Sequence, residues 1–329
     1  MAGYLVRRLA LTALTLIAIT AAVYAGARLL PGTPSSDDDP TMRRGLEPWT
    51  RSFHMTDPVP VGYARWLADL MSLDLGTSLS VSPGRPVASL LADALPYTLT
   101  LGLLAFVSTL CLAIPLGIAC AWRPDSIGSR SSAAILYALH ALPAFWIALA
   151  LQQVVGGRLG LLPVQGPSPL SLPSDGSGWE SIMAIAPHWV LPTAALALGS
   201  LAFIVRFIRS AMLEAISGEY VRAARARGAG QARVLLGHAL ANAAVPLISL
   251  AGLMLPGIVS GSVLVESIFA LPGMGRLFFT AAGRRDYPVI MAIALLAAAA
   301  TLFAGLIADL AYRAVDPRVS LDGDREDPA

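Results

Sequence analysis

Apolar and polar residues fall in long separate blocks along this chain. Residues 9–27, 94–122, 131–157, 181–205, 234–265 and 287–308 form six runs of 19 to 32 positions without Asp, Glu, Lys or Arg. A hydrocarbon layer about 30 Å thick is crossed by about 20 apolar residues in a helix, so each run is long enough to span it. None alternates with a period of two, which predicts helices and not barrel strands. The expectation is an all-α integral membrane protein with about six transmembrane helices. Arg7 and Arg8 before the first run, and Ala25-Gly26-Ala27 at its end, also suit a cleaved signal peptide. Its 19 uncharged residues exceed the usual 7 to 15 of such a segment, so it reads as a retained helix.

The blocks divide the chain into an N-terminal helix at 1–30, an extracytoplasmic segment at 31–93 and a membrane core at 94–329 carrying an inner loop at 208–245. Within the outer segment, residues 35–40 read as a polar loop. Tyr63, Trp66, Leu67 and Leu70 then recur at helical spacing, which predicts a short amphipathic helix on the membrane surface or on the protein. Residues 162–178 are rich in Pro, Ser and Gly and read as an exposed loop.

Composition agrees with the pattern and charge orients it. The chain of 329 residues is 56% hydrophobic and 13% charged, with mean hydropathy +0.67, where soluble domains carry about 25% charged residues. All 23 basic residues are arginine. They gather at Arg7 and Arg8, at Arg123 and Arg130, and between Arg206 and Arg233, so those connections and both termini are expected in the cytoplasm. The net charge of +2 is small and no basic surface is patterned for nucleic acid.

Several chemistries are disfavoured. Ion-coupled carriers need ionisable groups at membrane depth, and the six runs hold no Asp, Glu or Arg. His140 and His188 lie inside runs and read as histidines hydrogen-bonded between helices, whereas His238 begins the fifth run. An ion-coupled secondary transporter stands as the alternative of a different class. Cys111 and Cys120, nine residues apart, fall on opposite faces of a helix and form neither a disulfide nor a metal site. A phosphate-cradling loop with its lysine is excluded, since the sequence has no lysine.

The most patterned connection is the inner loop at 210–246. Ala, Arg and Leu favour helix on either side of Gly228 and Gly230, whose break predicts a basic helix-turn-helix hairpin. Here the sequence resembles the cytoplasmic signature of binding-protein-dependent importer permeases: Ala223, Ala224, Gly228 and Leu240 match it, while Arg222, His238 and Ala241 replace its usual residues. Those replacements resemble the dipeptide, oligopeptide and nickel importer branch, which residues 220–228 and 238–246 follow closely. The likeness extends to Asp74-Leu75-Gly76-Thr77-Ser78, Leu95-Pro96-Tyr97-Thr98-Leu99, Pro143, Val265-Glu266-Ser267, Pro272-Gly273-Met274-Gly275-Arg276, Arg285-Asp286-Tyr287-Pro288 and Asp316-Pro317-Arg318.

The resemblance implies a type I importer permease in a bacterial inner membrane, itself non-catalytic. Its implied partners are a homologous second permease, two ATP-binding-cassette ATPases, an extracytoplasmic solute-binding protein and membrane lipid. This chain would bind no cofactor; ATP and Mg would sit on the ATPases. Tyr220, Arg222, Ala223, Ala224, Arg225, Arg227, Gly228, Gly230 and Leu240 would couple to an ATPase. The implied solutes are short peptides, with nickel or a metal chelate as alternative, and no substrate-contacting residue is assigned.

Overall fold

The computed structural model describes residues 2–29, 50, 53–167 and 178–315. The polar loop at 35–40, most of the Ser/Pro/Gly loop and the Asp316-Pro317-Arg318 motif lie outside the described residues. Among the described residues four helices are long and apolar enough to cross a membrane: α1 (Ala2–Leu29), α3 (Val87–Trp122), α6 (Gly178–Ser217) and α11 (Tyr287–Val315). Between α1 and α3 lies α2 (Val59–Met71).

The third and fifth runs, read as uniform spans, are broken. Helix α4 (Ile127–Ala141) and α5 (Ala144–Leu151) meet at 101°. Pro143 supplies no N–H and crowds Leu142 into an extended conformation (φ −89°, ψ 132°), which ends the helix in the middle of an apolar run. A π-helical turn, Gln152–Arg158, continues α5, and Gln152 Nε2 donates to the carbonyls of Val164 (2.9 Å) and Ile268 (2.8 Å). A second π turn, Arg233–Ala239, leads into α8 (Leu240–Ser260), and this pair bends by 55° at Pro246. Each bent pair counts as one span if six are drawn.

Lipid supplies no hydrophobic drive between helices, so close approach of small residues must hold them together. A Cβ on Gly117 of α3 would lie 2.5 Å from Ile208 Cγ2 of α6, and one on Gly102 would lie 2.7 Å from the Ile258 carbonyl of α8. On Gly252 it would meet Ala308 Cβ of α11 at 2.6 Å. Around the first contact Leu201, Ile204, Ile208 and Met212 of α6 form the largest buried cluster, joined by Ala239, Ala243 and Leu250.

Helix α2 lies on the protein, the second of the two expected placements. Trp66 is buried and stacks on Tyr24 (5.3 Å) and Phe53 (5.9 Å), with Met291 and Leu295 of α11 in the same cluster. Arg28 completes the joint by donating to Tyr24 Oη (2.9 Å) and to the carbonyls of His54 (2.8 Å) and Asp57 (2.9 Å).

Two buried carboxylates organise the end of the bundle remote from the 218–239 loop. Asp286, fully buried, precedes α11 and accepts four hydrogen bonds at Oδ2: from the Ser78 hydroxyl (2.6 Å) and the N–H groups of Leu79 (3.1 Å), Ser80 (2.9 Å) and Val81 (2.9 Å). Successive N–H groups converging on one oxygen form an anion-binding nest. Glu266, on the short helix α9 (Val263–Ile268), lies at the start of α10 (Met274–Gly283). Its Oε2 accepts from Arg276 N–H (3.1 Å) and its Oε1 from Thr98 (3.0 Å), whose oxygen in turn accepts from Met274 N–H (2.8 Å). A Cβ on Gly273 would stand 2.5 Å from Oε2, so glycine is what lets the carboxylate reach the helix N-terminus. Burial pushes the Glu266 carboxyl above its usual range, and the hydrogen bonds from Arg276 and Thr98 partly offset this.

Candidate functional site

The loop that the sequence singles out projects from the far end of α6. Helix α6 stops at Ser217 and Gly218 turns the chain (φ −64°, ψ 148°) into α7 (Glu219–Ala226). Alternation at helical spacing decides which side faces the bundle. Val221 and Ala224, three apart, are buried, and Val234 from the following turn is buried too. Tyr220, Arg222, Ala223, Arg225 and Arg227 are exposed, and the four arginines from Arg222 to Arg233 have no ion-pair partner among the described residues. Burial, with a smaller effect of the Glu214 carboxylate, raises the Tyr220 phenol above 10.0, so it remains a neutral donor.

The turn that follows explains Gly228. Its N–H donates to the Arg225 carbonyl (2.9 Å) and that of Ala229 to the Ala224 carbonyl (3.1 Å), the paired bonds of a Schellman helix end. That motif needs a left-handed residue, and Gly228 has φ +79°. A Cβ there would meet nothing within 4 Å, so the requirement is conformational and not steric. Gly230 is exposed, has an ordinary φ and is equally uncrowded.

Two of the expected coupling residues stand elsewhere. Ala224 turns inward, because it shares the buried face with Val221, and so does not form an exposed small-residue face with Ala223. Leu240 packs against the α6 cluster, since it opens α8 and lies within the bundle. The remaining seven residues lie together on or beside the outer face of α7 and its turn. His188 Nδ1 pairs with the Gln165 carbonyl at 2.9 Å, a bond from helix to loop and not the expected bond between helices. Cys111 is exposed and Cys120 buried, as opposite helix faces require.

The sequence left unassigned the carboxylates Glu266 and Asp286, although both stand in motifs it picked out. A lone acid directly bounding an apolar run was the available signal. The break at Pro143 carried no comparable signal, since prolines also lie inside continuous helices of this chain.

Apolar helices packed through glycines, with an exposed basic turn projecting from one end, define a multi-pass membrane protein. Comparison with known proteins identifies the family. Residues 113–321 match "Binding-protein-dependent transport system inner membrane component". Among relatives, the oligopeptide transport system permease AppB of Bacillus subtilis is 36% identical over 321 residues, covering 97% of this chain and 99% of its own. The dipeptide transport system permease DppB of Escherichia coli K12 is 32% identical over 344 residues, with 97% and 99% covered. A chain of the MetNI methionine transporter in an inward-facing conformation aligns with TM-score 0.52 at 18% identity, covering 69% of this chain and 96% of that one, a likeness of fold. The chain belongs to this family of inner membrane components. It is the membrane permease subunit of an ATP-binding-cassette importer, non-catalytic itself, which works with ATPase and binding-protein partners.

Proposed function

We propose that this permease passes short peptides across a bacterial inner membrane, with both termini cytoplasmic, beside a homologous second permease and above two ATPases that bind ATP and Mg. A binding protein on the other side delivers the solute. The observation that carries the coupling role is α7 itself, anchored by Val221 and Ala224 while Tyr220, Arg222, Ala223 and Arg225 face outward up to the turn at Gly228. Such a face suits a groove on an ATPase lined by acidic groups, and nucleotide-driven closure of the ATPases would rock the bundle through it. Peptides are favoured over nickel because relatives matched over nearly the whole chain, AppB and DppB, are named for oligopeptide and dipeptide transport.

Uptake by a strain lacking this permease, complemented with the gene, tests both parts. Labelled dipeptides and oligopeptides should enter and compete with one another, while nickel uptake stays unchanged. In proteoliposomes transport should require ATP and survive loss of the proton gradient. Uptake driven by a pH or sodium gradient with no ATPase present would establish the secondary-transporter alternative. Reporter fusions at Ser126 and Gly230 should read cytoplasmic.

A further inference from the structure

Between α4 and α6, at the arginine end of the bundle, lies a cavity of about 50 Å³ bordered by Ser129, Tyr137, His140, Phe203, Arg206 and Arg209. One water needs roughly 10–15 Å³ by this measure, so the space takes a group of several heavy atoms. No Asp or Glu lines it. Neither Arg206 nor Arg209 has an ion-pair or hydrogen-bond partner among the described residues, and Arg209 Nε is sealed from solvent with no acceptor. A guanidinium carries five donors and keeps its charge at any ordinary pH, so a sealed Nε without an acceptor, beside a second unpaired arginine, leaves the site open to an anion.

We propose that this cleft binds the headgroup phosphate of an anionic phospholipid. Depth favours lipid over a soluble anion. The charge-free run on α6 ends at Val205, so Arg206 and Arg209 stand where hydrocarbon gives way to headgroups. Tyr137 and Phe203, both exposed, flank the cleft with aromatic surface on which acyl chains can lie. Basic pockets between transmembrane helices recognise phosphate headgroups through charge-assisted, forked hydrogen bonds. The two arginines are one helical turn apart and can grip the same phosphate from adjacent positions. Only the choice of leaflet rests on the cytoplasmic orientation proposed above; the binding itself does not.

The test is native mass spectrometry of the assembled transporter, exchanged into detergent containing phosphatidylglycerol or phosphatidylcholine. Wild type should retain phosphatidylglycerol, and Arg206→Gln/Arg209→Gln should retain it about tenfold less or weaker still. Arg206→Gln alone, at an exposed position unable to upset packing, should show part of that loss. Arg7→Gln/Arg123→Gln, which removes equal charge from exposed positions outside both the cleft and α7, should leave lipid retention unchanged. Equal retention of both lipids by wild type, or an equal loss from this control variant, would overturn the proposal. So would release of a subunit from the cleft variant with lipid unchanged, which would give the cleft to a partner's carboxylate. Displacement of the lipid by inorganic phosphate alone would assign the site to a soluble anion.

Discussion

At the carboxylate end of the bundle the short elements are tied together by buried polar groups, whereas the loop at 218–239 is held by the buried apolar side chains of Val221, Ala224, Val234 and Ala239 and leaves its charges in solvent. Asp286 accepts four hydrogen bonds at Oδ2 while its buried Oδ1 has no partner among the described residues, Glu266 accepts at both oxygens, and the glycines beside Glu266 admit no other residue. The side chains of Arg222, Arg225 and Arg227 have no partner among the described residues. One end is determined by its own sequence; the other, in the coupling role proposed above, would be completed by a second protein. Substitutions at the first should therefore be read in folding, and at the second in assembly.

The largest effect is expected from Asp286→Ala. It strands three part-buried N–H groups and the buried Ser78 hydroxyl, at a cost of about 3 kcal/mol. Thermal unfolding in detergent should fall sharply; melting like wild type would show that the two ends do not differ in this way.

Glu266→Ala should cost about 2–3 kcal/mol, as it leaves the Arg276 N–H and the Thr98 hydroxyl unpaired. The charge itself adds a pH signature. The folded pKa is raised above 4.5, so the folded state holds a proton that the unfolded chain releases. The group's contribution to stability is full below about that value and declines as pH rises toward the folded pKa. Glu266→Gln should flatten this part of the stability-against-pH curve, measured by melting temperature. An identical slope in both proteins would remove Glu266 as its source.

Gly228→Val sharpens the contrast at the other end. The left-handed backbone would be strained by about 1–2 kcal/mol, but the position is uncrowded and the bundle does not depend on it. The variant should insert at normal levels yet fail to copurify with the ATPase or to show solute-stimulated ATP hydrolysis. Full subunit content with wild-type transport would reduce the loop to a simple connection. Gly230→Ala should be the mildest change, within about 0.5 kcal/mol and with near-normal transport, because φ there is ordinary and the site open.

Helix positions were legible because the apolar runs are long, and the hairpin was legible because Gly228 interrupts strong helix formers. The amphipathic spacing of Tyr63, Trp66 and Leu70 announced α2, although only the structure shows that Tyr24 and Phe53 receive it. The bend at Pro143 was obscured because prolines also sit within continuous helices here, Pro96 and Pro115 in α3 among them. The inward turn of Ala224 depends on which side of an eight-residue helix meets α6 and the π turn, and a short amphipathic pattern does not carry that information. The two carboxylates were hidden for a different reason: their partners lie 168 and 208 residues away, and no local pattern marks such a pairing.

That last separation sets a schedule. Ser78 to Val81 wait for an acceptor that the ribosome supplies only 208 residues later, a delay of about 10–40 s at 5–20 residues per second. Until α11 enters the membrane, the nest has no anion and the turn before α3 lacks that anchor. A chain arrested before residue 286 would therefore carry an unfinished end of the bundle, open to quality-control proteases. The latch that closes the permease is also its completion check.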